Sequence, residues 1–250
     1  MRPFLLFPLS LLFTSCGGAT PDAKEDPPAP SGDSPTDSAA SGDDSSSGGD
    51  SDDSAPVSSA KDYRFNQNNS LLFVQVFKDP DAWGSSFAHD HVIRAGDWLG
   101  ELSWDAADPA SCSVAVTVQV AGLAVDEDDM RQKVGYGDKL SSGDRDDIRE
   151  SMLSEGQLNG DAYDTIRFTG ADCALAGSTL TVSGEMTLRG RAKRVELPLS
   201  VTLTDDRFSA TAQLTLRTTD YGFEPYEAFG GAVRNEEAMT LSMELSAKAQ

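Results

Sequence analysis

Histidine and cysteine are scarce in this chain, which has two histidines and three cysteines among its 250 residues. The sequence also lacks a phosphate-binding glycine loop and the Gly-x-Ser-x-Gly, Cys-x-x-Cys and His-Glu-x-x-His motifs. These motifs mark nucleotide phosphates, activated serines, redox dithiols and catalytic zinc. Their absence leaves no recognisable catalytic centre, so we expect a protein that is not an enzyme and requires no cofactor.

Positive charge is the second deficit. The chain has 20 Lys and Arg against 41 Asp and Glu, a formal net charge of −21. Residues 61–250 alone carry 18 basic and 31 acidic side chains, a net charge of −13. A phosphate backbone repels so acidic a surface, which excludes nucleic acid as an expected partner. This segment is long enough for one domain with a sizeable core.

Long hydrophobic runs are missing except at the N-terminus, which reads MRPFLLFPLSLLFTSCGG. The apolar run over residues 4–13 is too short to cross a bilayer and follows a single arginine, as in a secretory signal. LFTSC resembles the site at which bacterial signal peptidase cuts before a cysteine that carries lipid, although Phe13 replaces the usual aliphatic residue. We expect residues 1–15 to be a lipoprotein signal peptide and Cys16 to be lipidated. An ordinary cleaved signal peptide is the alternative.

The residue after the candidate lipid site bears on localisation. Gly17 stands there, and not the Asp that is associated with inner-membrane retention. We therefore expect a periplasm-facing lipoprotein of the bacterial cell envelope, anchored in the outer membrane.

Residues 16–60 are almost wholly Ser, Asp, Gly, Pro and Ala, with Val57 as the single branched aliphatic residue. They contain ten acidic residues and one Lys. Such a composition buries too little apolar surface to offset the entropy of the chain. The sequence predicts a disordered acidic tether ahead of a folded domain over residues 61–250.

Alternation of apolar and polar residues dominates the folded part and predicts half-buried strands. In CSVAVTVQV (112–120), valine occupies every second position from Val114. Strands are also predicted at 70–77, 87–95, 97–104, 165–170, 207–218 and 238–247, with a hairpin over 178–203 that turns at Arg189–Arg194. Eight or nine such strands predict an all-β fold, an eight-stranded antiparallel barrel that leaves no exposed edge.

Residues 126–159 interrupt the strands with charged, helix-permissive sequence. They predict one or two short helices that cross over between two strands. Ser142 is a candidate N-cap, and Ile148 and Met152 share one helix face. Since negative charge favours a helix start, we interpret Asp126–Asp129 as helix capping.

An eight-stranded barrel either fills its interior with side chains or encloses one small ligand. The inward residues, mostly Val, Leu and Met, fit an apolar tunnel and a packed core equally well. The predicted inward set is Phe87, His89, His91, Ile93, Val114, Val116, Val118, Phe168, Leu180, Val182, Met186, Leu197, Leu199, Val201, Leu214, Leu216, Met239, Leu241 and Met243.

Two cysteines remain once Cys16 is assigned to lipid. Cys112 begins one predicted strand, and Cys173 lies just past the end of the next. An antiparallel return of the chain would bring the two together, and in an exported protein this predicts a disulfide. Two buried, unpaired thiols are the alternative.

Both histidines lie in FAHDHVIRA (87–95). Residues two apart in a strand face the same way, so His89 and His91 would project together with Phe87 and Ile93. Three roles stay open: hydrogen-bonded structural side chains near the barrel rim, polar contacts to a ligand headgroup, or two ligands of a zinc or copper site. No spacing nominates a third ligand, so we predict no metal site.

Four segments together resemble the YceI-like family of polyisoprenoid-binding proteins. The resemblance extends over residues 62–247, and no single segment of it is diagnostic. NSLLFVQV resembles the first strand of the family, AYDTIRFTG the strand after its helix, LTVSGEMTLRGRAKRVELPLSV its hairpin, and LRTTDYGFEPYEAFGGAVRNEEAMTLSMELSA its closing segment.

Membership implies a lipocalin-like barrel in the periplasm that holds a long isoprenoid chain in its lumen. Asn69 stands where many members have histidine, Asp164 and Arg194 stand where proline is usual, and the family's other frequent histidine falls near Phe77 and Lys78. Headgroup contacts by those histidines therefore do not carry over. The expected ligand is an amphipathic quinone or polyprenol. A metal-binding lipoprotein and a filled barrel that contacts other proteins are the alternatives.

Overall fold

The computed structural model describes residues 59–137, 139–204 and 206–250. The expected signal peptide, Cys16 and nearly all of the expected tether lie outside these residues. The strands are β1 (Lys61–Asn66), β2 (Leu71–Lys78), β3 (His91–Ala95), β4 (Trp98–Trp104), β5 (Ser111–Gln119), β6 (Leu123–Val125), β7 (Thr165–Ala176), β8 (Thr179–Leu188), β9 (Arg191–Leu203), β10 (Arg207–Arg217), β11 (Glu227–Ala228) and β12 (Val233–Lys248). The helices α1 (Asp128–Lys133) and α2 (Ser142–Leu153) both lie between β6 and β7, and short 3-10 helices cover Ser85–Phe87, Val120–Gly122 and Thr219–Tyr221.

Three strands of the barrel are bent, and each appears as two consecutive elements. β1 pairs with β4 and β2 pairs with β3 in nearly continuous register, so that Asn66 opposes Leu99 and Phe73 opposes Arg94. β3 and β4 continue in the same way onto β6 and β5. The sheet path over the described residues runs β1-β4-β5-β7-β8-β9-β10-β12-β2-β3-β6, with β11 beside β12.

This path returns to the bent strand on which it begins, because β12 pairs with β2. When each bent strand is counted once, eight long strands surround the interior, and every pairing among them is antiparallel. The predicted all-β antiparallel barrel with a helical insertion is confirmed. The element count exceeds eight because of the three bends and the two-residue β11.

Aromatic side chains close one end of the barrel. Phe208 is 1% exposed, and its ring centroid lies 5.5 Å from that of Tyr63, 5.7 Å from Phe65 and 6.3 Å from Trp104. The contacts to Phe65 and Trp104 are edge to face, an arrangement that aromatic rings favour. The Cys112–Cys173 disulfide joins β5 to β7 at the same end, with the Cα atoms 6.0 Å apart, as predicted.

The opposite end carries the long connections and α2. Ser141 is the N-cap of α2: its Oγ accepts a hydrogen bond from the Asp144 backbone, and the Asp144 carboxylate accepts one from the Ser141 backbone. The predicted cap at Ser142 is therefore one residue late. Arg149 fastens the helix to the barrel by donating to the carbonyl of Ala121 at 2.6 Å.

The hairpin between β8 and β9 turns at Arg189 and Gly190, which have φ values of 53° and 69°. Two residues in this conformation make the tight turn that matches the twist of antiparallel strands. A Cβ on residue 190 would lie 2.7 Å from the ring of Tyr163, so glycine is needed there. The predicted turn was too long, because β9 already begins at Arg191.

Candidate ligand-binding cavity

The barrel encloses a cavity of about 420 Å³ that opens towards the end covered by α2. Such a volume lies within the usual range for small-molecule sites. Val114, Val116, Leu214 and Leu241 point inward and are only half-buried, because they face the cavity and no other side chain covers them. The interior of this barrel is therefore not filled by its own side chains.

Sixteen of the nineteen residues predicted to face inward line this cavity. They are His91, Ile93, Val114, Val116, Val118, Phe168, Leu180, Val182, Met186, Leu197, Leu199, Leu214, Leu216, Met239, Leu241 and Met243. Val201 is buried in the core but does not reach the cavity. Phe87 and His89 lie outside the cavity as well.

The segment FAHDHVIRA is a strand only from His91 onward, which corrects the prediction for Phe87 and His89. Phe87 ends a 3-10 helix and is 80% exposed, and His89 is exposed in the loop that follows. Asp90 explains the boundary, since its Oδ1 accepts the Lys78 backbone N–H at 2.9 Å and so ends the β2–β3 ladder. The two histidines do not share one face.

His91 lies on the inner wall and is held by a buried carboxylate. Its Nδ1 is 2.7 Å from Oδ2 of Asp126, whose side chain has no exposed surface. Oδ1 of Asp126 accepts hydrogen bonds from the Val92 backbone at 3.0 Å and from Arg131 at 2.8 Å. Burial alone would raise the pKa of Asp126, but the hydrogen bonds from His91, Val92 and Arg131 outweigh it and lower the pKa below its ordinary value.

An ionised Asp126 accepts hydrogen bonds only, so Nδ1 of His91 carries the hydrogen between them. The Nε2 atom is then the remaining hydrogen-bonding group of the imidazole ring. Of the three roles left open, the structural hydrogen bond is present at His91. The side chain also remains part of the cavity wall.

Only part of the acidic run Asp126–Asp129 supports the start of α1 as predicted. Glu127 is the N-cap residue but makes no side-chain capping bond; its carboxylate instead forms two hydrogen bonds to Arg94, at 2.6 and 2.8 Å. Only Asp128 and Asp129 lie in the first turn. The buried part of the run therefore holds α1 against β3.

Two residues that line the cavity each carry a buried polar atom without a hydrogen-bond partner among the described residues. The atoms are Nε1 of Trp98, a residue that is 4% exposed, and Oγ1 of Thr218, which is 9% exposed. Both residues line the cavity. Trp104 has the same unpartnered Nε1 but does not line the cavity. All three atoms have almost no accessible surface, so they do not face the open part of the cavity.

The mouth of the cavity continues into a polar depression of about 740 Å³, and five residues line both: Gln157, Pro225, Tyr226, Asn235 and Glu236. Arg234 is the one cation among the described residues that line this depression. The five carboxylates that line it are Asp79, Glu224, Glu227, Glu236 and Glu237.

Ion pairs engage only some of these carboxylates. Nε of Arg234 donates to Asp79 at 2.8 Å, and this hydrogen bond lowers the pKa of Asp79. Glu237 accepts from Thr219 and from Arg217, which in that order lower its pKa. Glu224, Glu227 and Glu236 form no ion pair within the described part of the chain, so the mouth is negative.

Two side chains of α2 lie at the mouth of the cavity. The sequence predicted correctly that they share one helix face, but it did not predict that they belong to the site. Ile148 and Met152 line the cavity, next to Asp147 and Ser151. Their spacing showed which helix face is apolar, but only the crossover geometry shows that this face covers an open barrel.

Among the described ranges, no group of three His, Cys, Asp or Glu side chains could hold a metal ion. Over the same residues, no helix is both long and apolar enough to cross a membrane.

Two solved structures are similar to this chain. The crystal structure of BcnA from Burkholderia cenocepacia has a TM-score of 0.54 at 16% identity, over 71% of this chain and 96% of that one. A YceI protein from Campylobacter jejuni has a TM-score of 0.47 at 13% identity, over 63% and 84% of the two chains. No curated protein sequence matches this chain.

These structural similarities concern the fold alone, whereas a family model spans most of the sequence. The model described as the YceI-like domain matches residues 69–247. The match covers the barrel from β2 to the last residue but one of β12, together with the helical crossover, and leaves out β1. The chain therefore belongs to the YceI-like family.

Proposed function

We propose that the barrel binds an amphipathic isoprenoid lipid of the quinone or polyprenol type and stores, carries or senses it in the bacterial cell envelope. The observation that supports this most directly is the shape of the interior. The cavity is apolar along the barrel, closed by aromatic rings at one end and polar at the other. A ligand with a long apolar chain and one polar terminus matches this arrangement.

Burial of the isoprenoid chain supplies the affinity. At roughly 25 cal/mol per Å² and about 500 Å² of apolar ligand surface, the gross gain is about 12 kcal/mol before the costs of association. Binding and release need no general base or nucleophile, so the proposal is for a binding protein and not an enzyme.

The anchor belongs to the same proposal. Lipid on Cys16 would hold the barrel at the periplasmic face of the outer membrane, and the acidic segment over residues 16–60 would give it reach. A Cys16→Ser variant should lose incorporation of radiolabelled palmitate and leave the membrane fraction. Labelling that persists in this variant would contradict the anchor without bearing on the cavity.

Native mass spectrometry of the full-length protein in mild detergent tests the binding proposal, with organic extraction to identify any bound species. We expect one isoprenoid molecule per chain, either copurified or after addition of a prenylated quinone. Zinc or copper in stoichiometric amount would favour a metal-binding lipoprotein. A barrel that takes up no quinone or polyprenol would favour a protein-interaction role.

A further inference from the structure

We propose, on the basis of the proposed function, that the barrel docks with its mouth against a lipid bilayer through three exposed aromatic side chains, Trp83, Phe87 and Phe229. Docking in this orientation would let an isoprenoid lipid pass between the bilayer and the cavity without crossing water. The exposure of the three rings, their position and the composition of their loops support the proposal.

Each of the three rings is largely exposed to solvent. Trp83 and Phe87 are 80% exposed and Phe229 is 84% exposed, whereas no other large apolar side chain of the described residues is more than 47% exposed. Single exposed apolar side chains are ordinary on a protein surface, but a group of aromatic rings marks an interaction site.

The two loops that carry the rings are packed against each other. In the β2–β3 loop (residues 79–90), Ala82, Gly84 and Ala88 are buried. The N–H of Gly84 donates to the carbonyl of Ala232 at 2.9 Å and so joins this loop to the one that carries Phe229. A Cβ on residue 84 would lie 2.7 Å from the same carbonyl oxygen, so the close approach requires glycine. The rings therefore project from a fixed backbone.

The same two loops border the mouth of the cavity. Asp79 and Glu227 line the polar depression into which the cavity opens. Asp79 stands at the start of the loop that carries Trp83 and Phe87, and Glu227 precedes Phe229 by two residues. A surface that contacts the rings therefore lies beside the mouth. This favours a bilayer over a protein partner, because the proposed ligand is itself a component of bilayers.

The segments around the rings are almost free of charge. Residues 80–88 and 228–233 read PDAWGSSFA and AFGGAV, and Asp81 is their one charged residue. Over residues 61–250 about one residue in four is charged, with 18 basic and 31 acidic side chains. Tryptophan is enriched where proteins meet the bilayer interface. Rings flanked by Gly, Ala and Ser can enter that interface without desolvation of charged groups.

Positive charge near the rings is already engaged. Nζ of Lys78 donates to the carbonyl of Ala88 at 3.3 Å, and Arg234 pairs with Asp79. A second source of positive charge at this end of the barrel is the β8–β9 turn over Arg189–Arg194. Basic side chains of that turn are the alternative contact with lipid headgroups, and such a contact would depend on salt.

Tryptophan fluorescence tests the docking, because Trp83 is the one exposed tryptophan of the three in the chain. Trp98 and Trp104 are 4% and 2% exposed. The full-length protein is mixed with phosphatidylcholine vesicles in which part of the acyl chains carry bromine, a contact quencher. We expect quenching in the wild type and none in Trp83→Phe, where only the two buried indoles emit. Equal quenching in both proteins would overturn the docking.

A double variant of the other two rings tests whether all three act together. Phe87→Ser with Phe229→Asn should lower the ratio of docked to undocked molecules, read from the quenched fraction of Trp83 emission, by at least about tenfold, because two large apolar side chains no longer leave water. Asn suits position 229, where φ is 52°.

Leu99→Ser with Leu175→Ser is the matched control. It removes two exposed aliphatic side chains from the barrel wall on β4 and β7 and should leave the quenching of Trp83 unchanged. All four substituted positions are exposed, so both double variants should melt at the temperature of the wild type. Equal quenching in the two double variants would contradict the role of the rings.

Salt separates the aromatic contact from a basic one. Quenching in the wild type should be unchanged between about 0.1 and 1 M salt, although the screening length falls from about 10 to about 3 Å. Quenching that disappears at high salt would assign the docking to the basic turn and overturn the proposal.

These outcomes are separate from those that test the cavity. Phe87→Ser with Phe229→Asn should bind geranylgeraniol in neutral detergent as the wild type does, since neither ring lines the cavity, but should take it up from vesicles more slowly. If no isoprenoid binds in detergent while Trp83 is quenched, the proposed function fails and the docking stands. If the isoprenoid binds and vesicles leave Trp83 unquenched, the docking is wrong and the rings are left to a protein partner.

Discussion

His91 and Asp126 are 35 residues apart in the chain, yet Nδ1 of the histidine lies 2.7 Å from a carboxylate oxygen of the aspartate. The histidine is on the cavity wall, and the aspartate stands at the entry to the helical crossover. Arg131 in α1 meets the same carboxylate at 2.8 Å. One buried charge thus ties the wall of the cavity to the helix outside it.

Removal of that charge should destabilise the domain. Asp126 has a φ of 50°, a left-handed conformation that asparagine tolerates, so Asp126→Asn changes the charge with little backbone strain. It removes the buried carboxylate that accepts a hydrogen bond from Arg131, a residue that is only 4% exposed. We expect a loss of about 3 kcal/mol in the free energy of unfolding, measured by urea denaturation.

Asp128→Asn is the matched control for this change. It removes a half-exposed carboxylate that pairs with Lys139 and Arg145, and such surface pairs contribute less than about 1 kcal/mol. An equal loss of unfolding free energy in the two variants would show that the buried network stabilises the domain no more than a surface ion pair does.

The lowered pKa of Asp126 predicts that the stability of the domain depends on pH. The pKa of Asp126 in the folded protein is lowered from the ordinary value of 3.8. The ionised form is therefore favoured by folding, and its contribution is present above that value and lost as the pH falls through the folded pKa. Unfolding free energies measured from pH 6 downward should decline less steeply below about pH 4 in Asp126→Asn than in the wild type. Parallel curves would refute the assignment.

Filling the cavity should abolish binding without unfolding the barrel. Val116 is half-buried on the inner wall of β5, and Ala115 beside it points outward and is exposed. Val116→Trp should weaken binding of geranylgeraniol by at least about tenfold, while Ala115→Trp should not, because successive strand residues face opposite sides. Calorimetric titration and a thermal melt of each variant check this. Equal affinity in both variants would place the ligand elsewhere.

Gly184 should be required for the barrel wall. A Cβ there would lie 2.4 Å from the carbonyl oxygen of Thr169 and 2.6 Å from the ring of Phe168, which lines the cavity. Gly184→Ala should cost about 2 kcal/mol in unfolding free energy through forced displacement of the neighbouring strand. Gly156→Ala has no atom within 4 Å of the new methyl and should change stability by less than about 1 kcal/mol. Similar melting of the two variants would contradict the close contact.

The sequence predicted the inner face of β5, β8, β9, β10 and β12 well because strand geometry fixes direction. Once a strand forms, residues two apart face the same side, so Val114, Leu180 and Leu241 could be placed without coordinates. The short strand β1 was missed, although Tyr63 and Phe65 alternate there with polar residues. Six residues beside the low-complexity segment gave too weak a signal.

The strand predicted over residues 87–95 was wrong before His91, for a physical reason that the local sequence pattern does not show. The alternation continues through Phe87 and His89, but the Asp90 side chain ends the ladder, and the backbone N–H of Gly84 binds the carbonyl of Ala232 in a distant loop. Such a contact joins residues more than a hundred positions apart, so a local pattern cannot predict it.

The polar features of the site could not be predicted from the sequence either. Trp98 lies in the predicted strand over residues 97–104, but whether its indole N–H has a partner depends on its surroundings and not on its residue type. The acidic mouth joins residues of the β2–β3 loop to residues 224–237, which only the closed sheet brings together. Asp126 was assigned to capping because its partners lie on other elements.

The central claim is that the ligand lies inside the barrel, and photo-crosslinking with a diazirine-bearing geranylgeraniol tests it most directly. Peptide mapping of the labelled full-length protein should place the label on inward residues such as Val116, Leu214 and Leu241, and Val116→Trp should remove it. Label confined to the exposed aromatics Trp83, Phe87 and Phe229, or label that persists unchanged in Val116→Trp, would contradict the account.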